Sequence, residues 1–293
     1  MISGILNIDK PIGRSSFAAV RLVRQIVGVE RVGHGGTLDP AAGGVLPVLL
    51  GPATRLSDFV HEWPKTYLAT IQLGATSDTF DREGVITPSG DPTGISQAAI
   101  ETALPRFIGT ISQVPPMHSA LKQGGEALYR KARRGEVVDR APRPVQVLSL
   151  RLLAWDRTAG QCRIEVRSGK GMYVRSLAHD LGAALGAGGY LAALTRSAFG
   201  PLRVEDALPL ETLRASPDAW REKLLPMDLP LRGWPAITVE GSRARAIEHG
   251  QAIPVPEAST LGRHRLIDEG GRLLAWGTVD ATRHLQPQAV FPR

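Results

Sequence analysis

One carboxylate, that of Asp39, lies inside a glycine-rich turn between a helical stretch and an apolar run, within the segment GHGGTLDPAAGGVLPVLLG of residues 33–51. Glycines allow a backbone to adopt positive φ angles and to approach a ligand closely, and Pro40 stiffens the position directly after the acid. A turn of this kind holds a carboxylate at a fixed place, which suits a catalytic nucleophile. Because Asp-Pro is also ordinary turn chemistry, the turn by itself equally permits a structural aspartate.

The chain lacks the sequence motifs of common metal sites and nucleotide-binding loops, which limits the reactions that this turn could catalyse. Its seven histidines and single cysteine show no HxxxH or CxxC spacing, which argues against a zinc or iron site. Neither GxxxxGK[ST] nor GxGxxG occurs in the turn, and the GKG at residues 169–171 lacks the serine or threonine that holds magnesium in a P-loop. We therefore expect no metal site and no nucleotide hydrolysis.

The composition favours a polyanionic partner and a reducing compartment. Thirty-five lysines and arginines against 28 acidic residues give a net charge of +7, which is typical of proteins that bind nucleic acids. Cys162 is the only cysteine, so an internal disulfide is excluded. The chain starts without a basic leader, and no apolar run approaches the length of a membrane span. We expect a cytoplasmic protein with no membrane partner.

Hydrophobic periodicity predicts the elements that position the turn. A helix is expected after Ser15 or Ser16 and before Gly28, with an apolar face made of Phe17, Val20, Val23 and Val27. Strands are expected at residues 5–8, 67–73, 145–155 and 162–166. A second helix is predicted at residues 95–107, and a third has Val174, Leu177, Ala178, Leu181 and Leu185 on one face. Because strands adjoin with few helices between them, we predict an α+β fold with a mixed, mainly antiparallel sheet.

The chain is predicted to contain two domains, residues 1–232 and residues 233–293. Prolines at positions 217, 226, 230 and 235 suggest a junction, and we place the boundary near Gly233. Beyond it, residues 237–255 and 266–291 read as short β runs broken by glycines, which is a small barrel-like pattern.

Five segments that follow one another in order resemble a known family. They are the turn itself, GILNIDKPIGRSS (4–16), KTYLATIQLGATSDTFDREG (65–84), QVPPMHSALKQGGEALYRKARRGE (113–136) and SGKGMYVRSLAHDLG (168–182). Together they are similar to the motifs of the tRNA pseudouridine-55 synthase (TruB) family. One departure is visible, because His118 stands where the family usually has a tyrosine.

The resemblance implies a catalytic role for three residues. Asp39 would be the nucleophile that attacks uridine at C1′ or at C6. Arg175 lies off the apolar face of its helix, and in the family this arginine pairs with the catalytic aspartate. Tyr67 would stack on the base and could move a proton during reattachment. A single carboxylate suits an isomerase better than a glycosidase, which uses two, and the reaction needs no cofactor.

The resemblance also implies the contacts to RNA. His34 would fill the position that a flipped base vacates, Tyr173 and Leu194 would line the uracil pocket, and Lys10 of the first motif would contact the substrate. An insertion at about residues 113–143 resembles the element with which the family grips RNA. Its basic residues are expected to meet phosphates; they are Lys122, Arg130, Lys131, Arg133 and Arg134.

These expectations combine into one functional prediction with open alternatives. The chain would be a stand-alone, monomeric tRNA pseudouridine synthase that isomerises uridine 55 in the TΨC loop and binds the T-arm without an obligatory protein partner. The end of the chain resembles the PUA-like RNA-binding domain of bacterial members, although a plain stabilising cap is the alternative. A tRNA-folding chaperone with incidental catalysis, or a synthase that acts on another RNA in a guided complex, are the competing functions. The insertion argues against the guided type, whose members lack it.

Overall fold

The computed structural model describes residues 2–119, 121–136 and 138–291, in which the chain forms two large sheets and two small two-stranded sheets. The helices are α1 (Ser16–Val27), α2 (Ser57–His61), α3 (Gln97–Ala103), α4 (Leu128–Arg133), α5 (Val174–Ala184), α6 (Leu210–Ala215) and α7 (Gly241–Glu248). The strands are β1 (Gly4–Lys10), β2 (Val32–His34), β3 (Ala42–Leu50), β4 (Lys65–Leu73), β5 (Ala75–Ser77), β6 (Ile86–Pro88), β7 (Gly109–Gln113), β8 (Lys122–Gln123), β9 (Glu126–Ala127), β10 (Arg143–Asp156), β11 (Gln161–Ser168), β12 (Gly189–Phe199), β13 (Leu202–Arg203), β14 (Leu208–Pro209), β15 (Leu224–Leu225), β16 (Ala236–Thr238), β17 (Ile253–Pro254), β18 (Gly262–Ile267), β19 (Leu273–Val279) and β20 (His284–Val290).

The larger sheet has 11 strands, and its main path runs β14-β1-β3-β12-β4-β11-β10-β7. Its neighbouring strands are antiparallel except for the parallel pairs β1 with β14 and β3 with β12. This topology confirms the predicted α+β fold with a mixed, mainly antiparallel sheet. The parallel pair sets Ala42 opposite Leu194 and Gly44 opposite Arg196, so the glycine-rich turn before β3 lies beside the middle of β12.

Helix α1 begins and ends where the sequence predicts, but one residue of its buried face differs. The Ser15 hydroxyl caps it by accepting a hydrogen bond from the Ala18 amide, and Gly28 ends it at a φ of 70°. Phe17 was predicted to lie in the core and is instead 73% exposed. Ser16, one turn before the buried Val20, takes the inward position because its hydroxyl is hydrogen-bonded to the backbone of Leu38.

Helix α5 covers the face of the sheet that carries the predicted site. Its apolar face, which includes the buried Leu177 and Leu181, packs with Ile71 of β4 and Val166 of β11 in one hydrophobic cluster. Leu185 is only partly buried, directly beyond the last residue of the helix. Only five residues, which include the GKG segment, separate the end of β11 from the start of α5, so the first turn of α5 lies close to the carboxyl-side end of β11.

A second sheet of five strands follows, in the order β16-β18-β19-β20-β17. It has its own hydrophobic cluster, which includes Ile247, Leu266 and Leu285. The sequence predicted only β runs here, and the structure corrects that prediction because residues 241–248 form α7. Only Ala244 and Ile247 of this helix are buried, so its apolar periodicity is too short to be recognised among the charged residues.

The predicted junction is packed against both sheets. Leu231 of the junction joins Leu56, Leu273 and Phe291 in a buried cluster, and the Phe59 ring makes edge contacts with Trp234 and Trp276 at 5.1 and 5.3 Å. The proline-rich segment therefore forms part of an apolar interface between the sheets. None of the helices in the described ranges is long and apolar enough to cross a membrane.

Candidate active site

Asp39 lies in a cleft of about 910 Å³ that is also lined by Tyr67, Tyr173, Arg175 and Leu194. The cleft therefore brings together the three predicted catalytic residues and both residues predicted to line a uracil pocket. The Asp39 side chain is 42% exposed, so its carboxylate is accessible from the cleft. Its position directly before β3 follows from the parallel pairing of β3 with β12.

Two buried side chains that sequence reasoning missed fix the backbone of the turn. The Ser16 hydroxyl accepts from the Leu38 amide and donates to the Leu38 carbonyl, both at 2.9 Å. The Arg196 guanidinium donates to the carbonyls of Gly36, Thr37 and Val45 at 3.1, 3.2 and 2.7 Å. Gly44 has a φ of 100°, and a Cβ there would lie 2.3 Å from the Arg196 carbonyl oxygen. Only glycine therefore allows β3 to approach β12 this closely.

Arg175 is the partner of Asp39. Its Nη2 lies 2.9 Å from Asp39 Oδ2 and donates to the His118 carbonyl at 2.9 Å. Its side chain is 6% exposed, so the arginine points into the cleft and away from solvent. The sequence predicted that Arg175 lies off the apolar helix face, and the structure shows it buried, so a solvated arginine at that position is ruled out.

Asp81 is a second carboxylate at the same guanidinium, and the sequence analysis missed it. Asp81 Oδ2 lies 3.5 Å from Arg175 Nη1, while Oδ1 accepts from the Thr79 hydroxyl at 2.6 Å and from the Glu83 amide at 3.0 Å. The guanidinium is thus held between two carboxylates and a carbonyl, which fixes the plane of its fork. The available signal was the second aspartate of SDTFDREG, whose partner could not be read from spacing alone.

The loop that carries Asp81 is fixed by an unusual backbone. Phe80 has a φ of 64°, which is rare for a bulky residue, and its ring stacks on His179 of α5 with centroids 4.1 Å apart. The Phe80 carbonyl accepts from the Leu191 amide at 2.9 Å. These contacts dock the loop on α5 and β12 together, directly beside Arg175.

Tyr67 lies on β4 opposite Arg196 of β12. Burial lowers the pKa of Arg196, while the neighbouring Tyr67 side chain and the charge of Asp39 oppose that shift. The tyrosine is half-buried and lines the cleft, so its ring and hydroxyl face the space next to Asp39.

Two lysines beside the turn are buried. Lys10 was predicted to contact substrate, and the structure corrects this, because its side chain is fully buried and Nζ donates to the carbonyls of Pro11 and Arg14 at 3.0 and 2.6 Å. Lys65 lines the cleft, donates to the His61 carbonyl, and lies 4.6 Å above the Phe199 ring. Burial, followed by repulsion from Arg196, lowers the pKa of each lysine to about 8.

The remaining predicted residues lie around the cleft. The Tyr173 amide and carbonyl are both bonded to the Gln113 side chain, at 3.0 and 3.2 Å. His34 ends β2 directly before Gly35 and Gly36, which line the cleft, and its Nδ1 accepts from the Gly36 amide at 3.3 Å. Burial lowers the pKa of His34, which agrees with this acceptor role.

The insertion forms the hairpin β8-β9 followed by α4. Arg130 is exposed and Lys131 is partly buried. Arg134 is engaged within the insertion, with bonds of 2.6 and 2.9 Å to the Glu126 carboxylate and 2.8 Å to Glu136. The side chains of Lys122 and Arg133 lie outside what the structure describes.

Most of the chain matches two family models, and almost all of it aligns with known proteins. Residues 24–174 match the family model "TruB family pseudouridylate synthase (N terminal domain)", and residues 175–232 match "tRNA pseudouridylate synthase B C-terminal domain". The chain is 40% identical to tRNA pseudouridine synthase B of Pseudomonas putida (strain GB-1) and 41% identical to that of Pseudomonas aeruginosa (strain UCBPP-PA14). Each alignment covers 99% of this chain and 96% of the relative.

Solved structures of Cbf5 complexes contain chains that share the fold of this protein. A Cbf5-Nop10-Gar1 complex contains a chain that superposes with a TM-score of 0.73 at 26% identity, covering 99% of this chain and 85% of that one. The archaeal box H/ACA sRNP Nop10-Cbf5 complex gives a TM-score of 0.71 at 25% identity, covering 99% and 86%. With family models across residues 24–232 and full-length relatives at 40% identity, the chain belongs to the TruB family of pseudouridylate synthases.

Proposed function

We propose that this protein isomerises uridine to pseudouridine at position 55 in the TΨC loop of tRNA, with Asp39 as the nucleophile. The observation that carries this proposal is the pairing of Asp39 with the buried Arg175 inside a cleft of about 910 Å³. The full-length relatives are named tRNA pseudouridine synthase B, which supports tRNA as the substrate.

The reaction requires a single nucleophile and no redox partner. The C1′–N1 bond breaks, the uracil turns over, C5 forms a bond to C1′, and the proton on C5 is lost while N1 regains one. Arg175 contacts Asp39 through Oδ2, and no described residue donates a hydrogen bond to Oδ1, which leaves that oxygen for attack at C1′ or at C6 of the uridine. No cofactor is needed for any of these steps.

Tyr67 and Leu194 complete the pocket in this proposal. The tyrosine ring lies on the strand next to Arg196, where it can stack on a base and its hydroxyl can move a proton. Leu194 and Tyr173 supply apolar walls that exclude water from the reacting atoms. His34, at the edge of the cleft, would take the place of the flipped base in the RNA loop.

The domains divide the work between chemistry and grip. We assign catalysis to residues 1–232, because the two family models together cover residues 24–232, and assign residues 233–293 to a PUA-like domain that adds RNA affinity. The insertion at residues 113–143 would contact phosphates of the T-arm. The protein would act in the cytoplasm as a monomer without a guide RNA or an obligatory protein partner.

A bare T-arm hairpin incubated with the protein alone tests this function. We expect stoichiometric pseudouridine at the target uridine, detected by mass spectrometry and by carbodiimide mapping. Binding of tRNA without conversion would support the folding-chaperone alternative instead. Conversion only after a guide RNA is added would support the guided type.

A further inference from the structure

The first limb of the insertion forms a fixed wall of the cleft. The Gln113 side chain is bonded to both backbone groups of Tyr173, and the Ser176 hydroxyl donates to the Val114 carbonyl at 2.8 Å. Arg175 adds the bond to the His118 carbonyl. Residues 113–118 are therefore attached to the first turn of α5, the same turn that holds Asp39.

Ser119 follows directly on this wall and faces the cleft. It is 4% exposed, lines the cleft, and its hydroxyl has no hydrogen-bond partner among the described residues. Other buried polar atoms without a partner there, such as Asn7 Oδ1, Ser168 Oγ and His179 Nδ1, belong to residues outside the cleft lining. Ser119 is thus distinguished by being buried, unpartnered and directed at the site.

A buried hydroxyl without a partner destabilises a folded protein, because it has given up its bonds to water. A ligand that enters the cleft and offers a polar atom removes that cost. Arg175 Nη2 lies 2.9 Å from both the His118 carbonyl and Asp39 Oδ2, which places the neighbouring Ser119 close to the reacting end of the cleft. The hydroxyl is therefore positioned for the nucleotide that Asp39 attacks.

We propose that the Ser119 hydroxyl hydrogen-bonds the flipped uridine and so helps to select and position it. This inference rests on the proposed function, since it needs a uridine in the cleft. A uridine nucleotide offers polar atoms on the base edge and on the ribose 2′-hydroxyl, and a serine hydroxyl can donate to or accept from either. A hydrogen bond forms in either case, and substrates with and without the 2′-hydroxyl distinguish a contact to the ribose from a contact to the base.

The test compares Ser119→Ala with Ser112→Ala, a matched control at an exposed position of β7 in the same segment. We expect Ser119→Ala to lower kcat/KM for a T-arm hairpin about tenfold, the loss typical of one hydrogen bond to substrate, while Ser112→Ala does not change it. The melting temperature of Ser119→Ala should equal or exceed that of the unchanged protein, because the Ser119 hydroxyl has no hydrogen-bond partner among the described residues of the folded protein. Unchanged kcat/KM, with or without a lower melting temperature, would overturn the proposal.

Ser119→Cys is a second variant that keeps the size of the side chain and weakens its hydrogen bonding. It should show a loss of kcat/KM similar to that of Ser119→Ala, so a folding defect in one variant leaves the proposal testable in the other. If the unchanged protein converts no hairpin, the proposed function fails. If it converts the hairpin and both variants do so equally well, only the role of Ser119 fails.

The contacted atom is identified by binding in an Asp39→Asn background, where no turnover occurs. The dissociation constant is measured with and without Ser119→Ala, on hairpins that carry either uridine or 2′-deoxyuridine at the target. A contact to the ribose predicts that Ser119→Ala weakens binding of the uridine hairpin only. A contact to the base predicts an equal weakening for both hairpins, and either result supports the proposal. No weakening for either hairpin, together with unchanged kcat/KM, contradicts it.

Discussion

The cations around Asp39 are buried and bonded to the protein itself, whereas the described cations of the insertion are exposed, partly buried or paired within it. Arg175 pairs with carboxylates and donates to a backbone carbonyl, and Arg196 donates to three backbone carbonyls. Arg130 is exposed on α4. Charges inside the protein are screened little by salt, while exposed ones are screened strongly. The first region can therefore fix a geometry, and the second can attract a polyanion.

Because the cations of the cleft are buried and those of the insertion are not, substitutions in the two regions should affect different measured quantities. Substitutions among the buried cations should change the rate of conversion with little effect on salt dependence. Substitutions in the insertion should change affinity and its salt dependence with little effect on the rate at saturation.

Among substitutions of the cations, the largest effect is expected for Arg175→Lys. A lysine ammonium is a point charge, and it cannot reach Asp39, Asp81 and the His118 carbonyl at once as the planar guanidinium does. A misplaced nucleophile can cost about a hundredfold in rate, and we expect a loss of that size. The single-turnover rate measures it, with Arg151→Lys on the exposed face of β10 as the matched control. A near-normal rate in Arg175→Lys would show that the fork geometry is irrelevant.

Neutralising Arg130, Lys131 and Arg133 together should weaken tRNA binding and flatten its salt dependence. Each lost phosphate contact lowers the log–log salt slope by roughly 0.7 to 0.9, so three contacts give a change of about 2. Arg134→Gln is the internal control, because this arginine is already paired with Glu126 and Glu136 and should change the slope less. Titrations at several salt concentrations measure both slopes. An unchanged slope in the triple variant would remove the insertion from phosphate binding.

Asp81→Asn should slow conversion about tenfold, which corresponds to about 1.4 kcal/mol. The amide keeps the size of the side chain but loses the charge that faces Arg175 Nη1, while Asp39 continues to hold Nη2. Asp206→Asn at an exposed position provides the control. The single-turnover rate is the measurement, and a rate equal to that of the control would mean that Asp39 alone orients the guanidinium.

The last prediction concerns the pH dependence of stability. Burial and Arg196 lower the pKa of Lys65 to about 8, from an ordinary value of 10.5. Below pH 8 the lysine is protonated in both states, whereas above it the folded protein releases a proton that the unfolded chain keeps. The free energy of unfolding therefore rises with pH from 8 towards 10.5, by on the order of 1 kcal/mol per pH unit.

Denaturant unfolding of Lys65→Met against the unchanged protein isolates this contribution, since Lys10 is present in both. The stability of the unchanged protein relative to the variant should increase between pH 8 and pH 10. A constant or falling difference would mean that the Lys65 ammonium is solvated.

Local periodicity predicted the sheet class, whereas the pairing of Asp39 with Arg175, which lie 2.9 Å apart, was implied only by the resemblance to a known family. The sequence did not predict the roles of Ser16, Asp81 and Arg196. Each of these acts through a contact between segments that are far apart in sequence, and the contacts of Arg196 follow only once β3 lies parallel to β12. Local patterns carry no information on that pairing.

The errors have similar physical causes. Lys10 stands in a motif that suggested substrate contact, yet its ammonium donates hydrogen bonds to the carbonyls of Pro11 and Arg14. Phe17 fits the helical spacing of the core, but Ser16 occupies the inward position through its bonds to Leu38. In both cases a specific hydrogen bond outweighs the average behaviour of the residue type.

The most direct test of the account compares Asp39→Asn with the triple insertion variant in single-turnover conversion of a T-arm hairpin, at enzyme concentrations far above the dissociation constant. The account predicts that the insertion variant reaches the rate of the unchanged protein once saturated. It predicts that Asp39→Asn binds the hairpin within about 1 kcal/mol of the unchanged protein and forms no pseudouridine. Measurable conversion by folded Asp39→Asn, or a slow rate at saturation in the insertion variant, would contradict it.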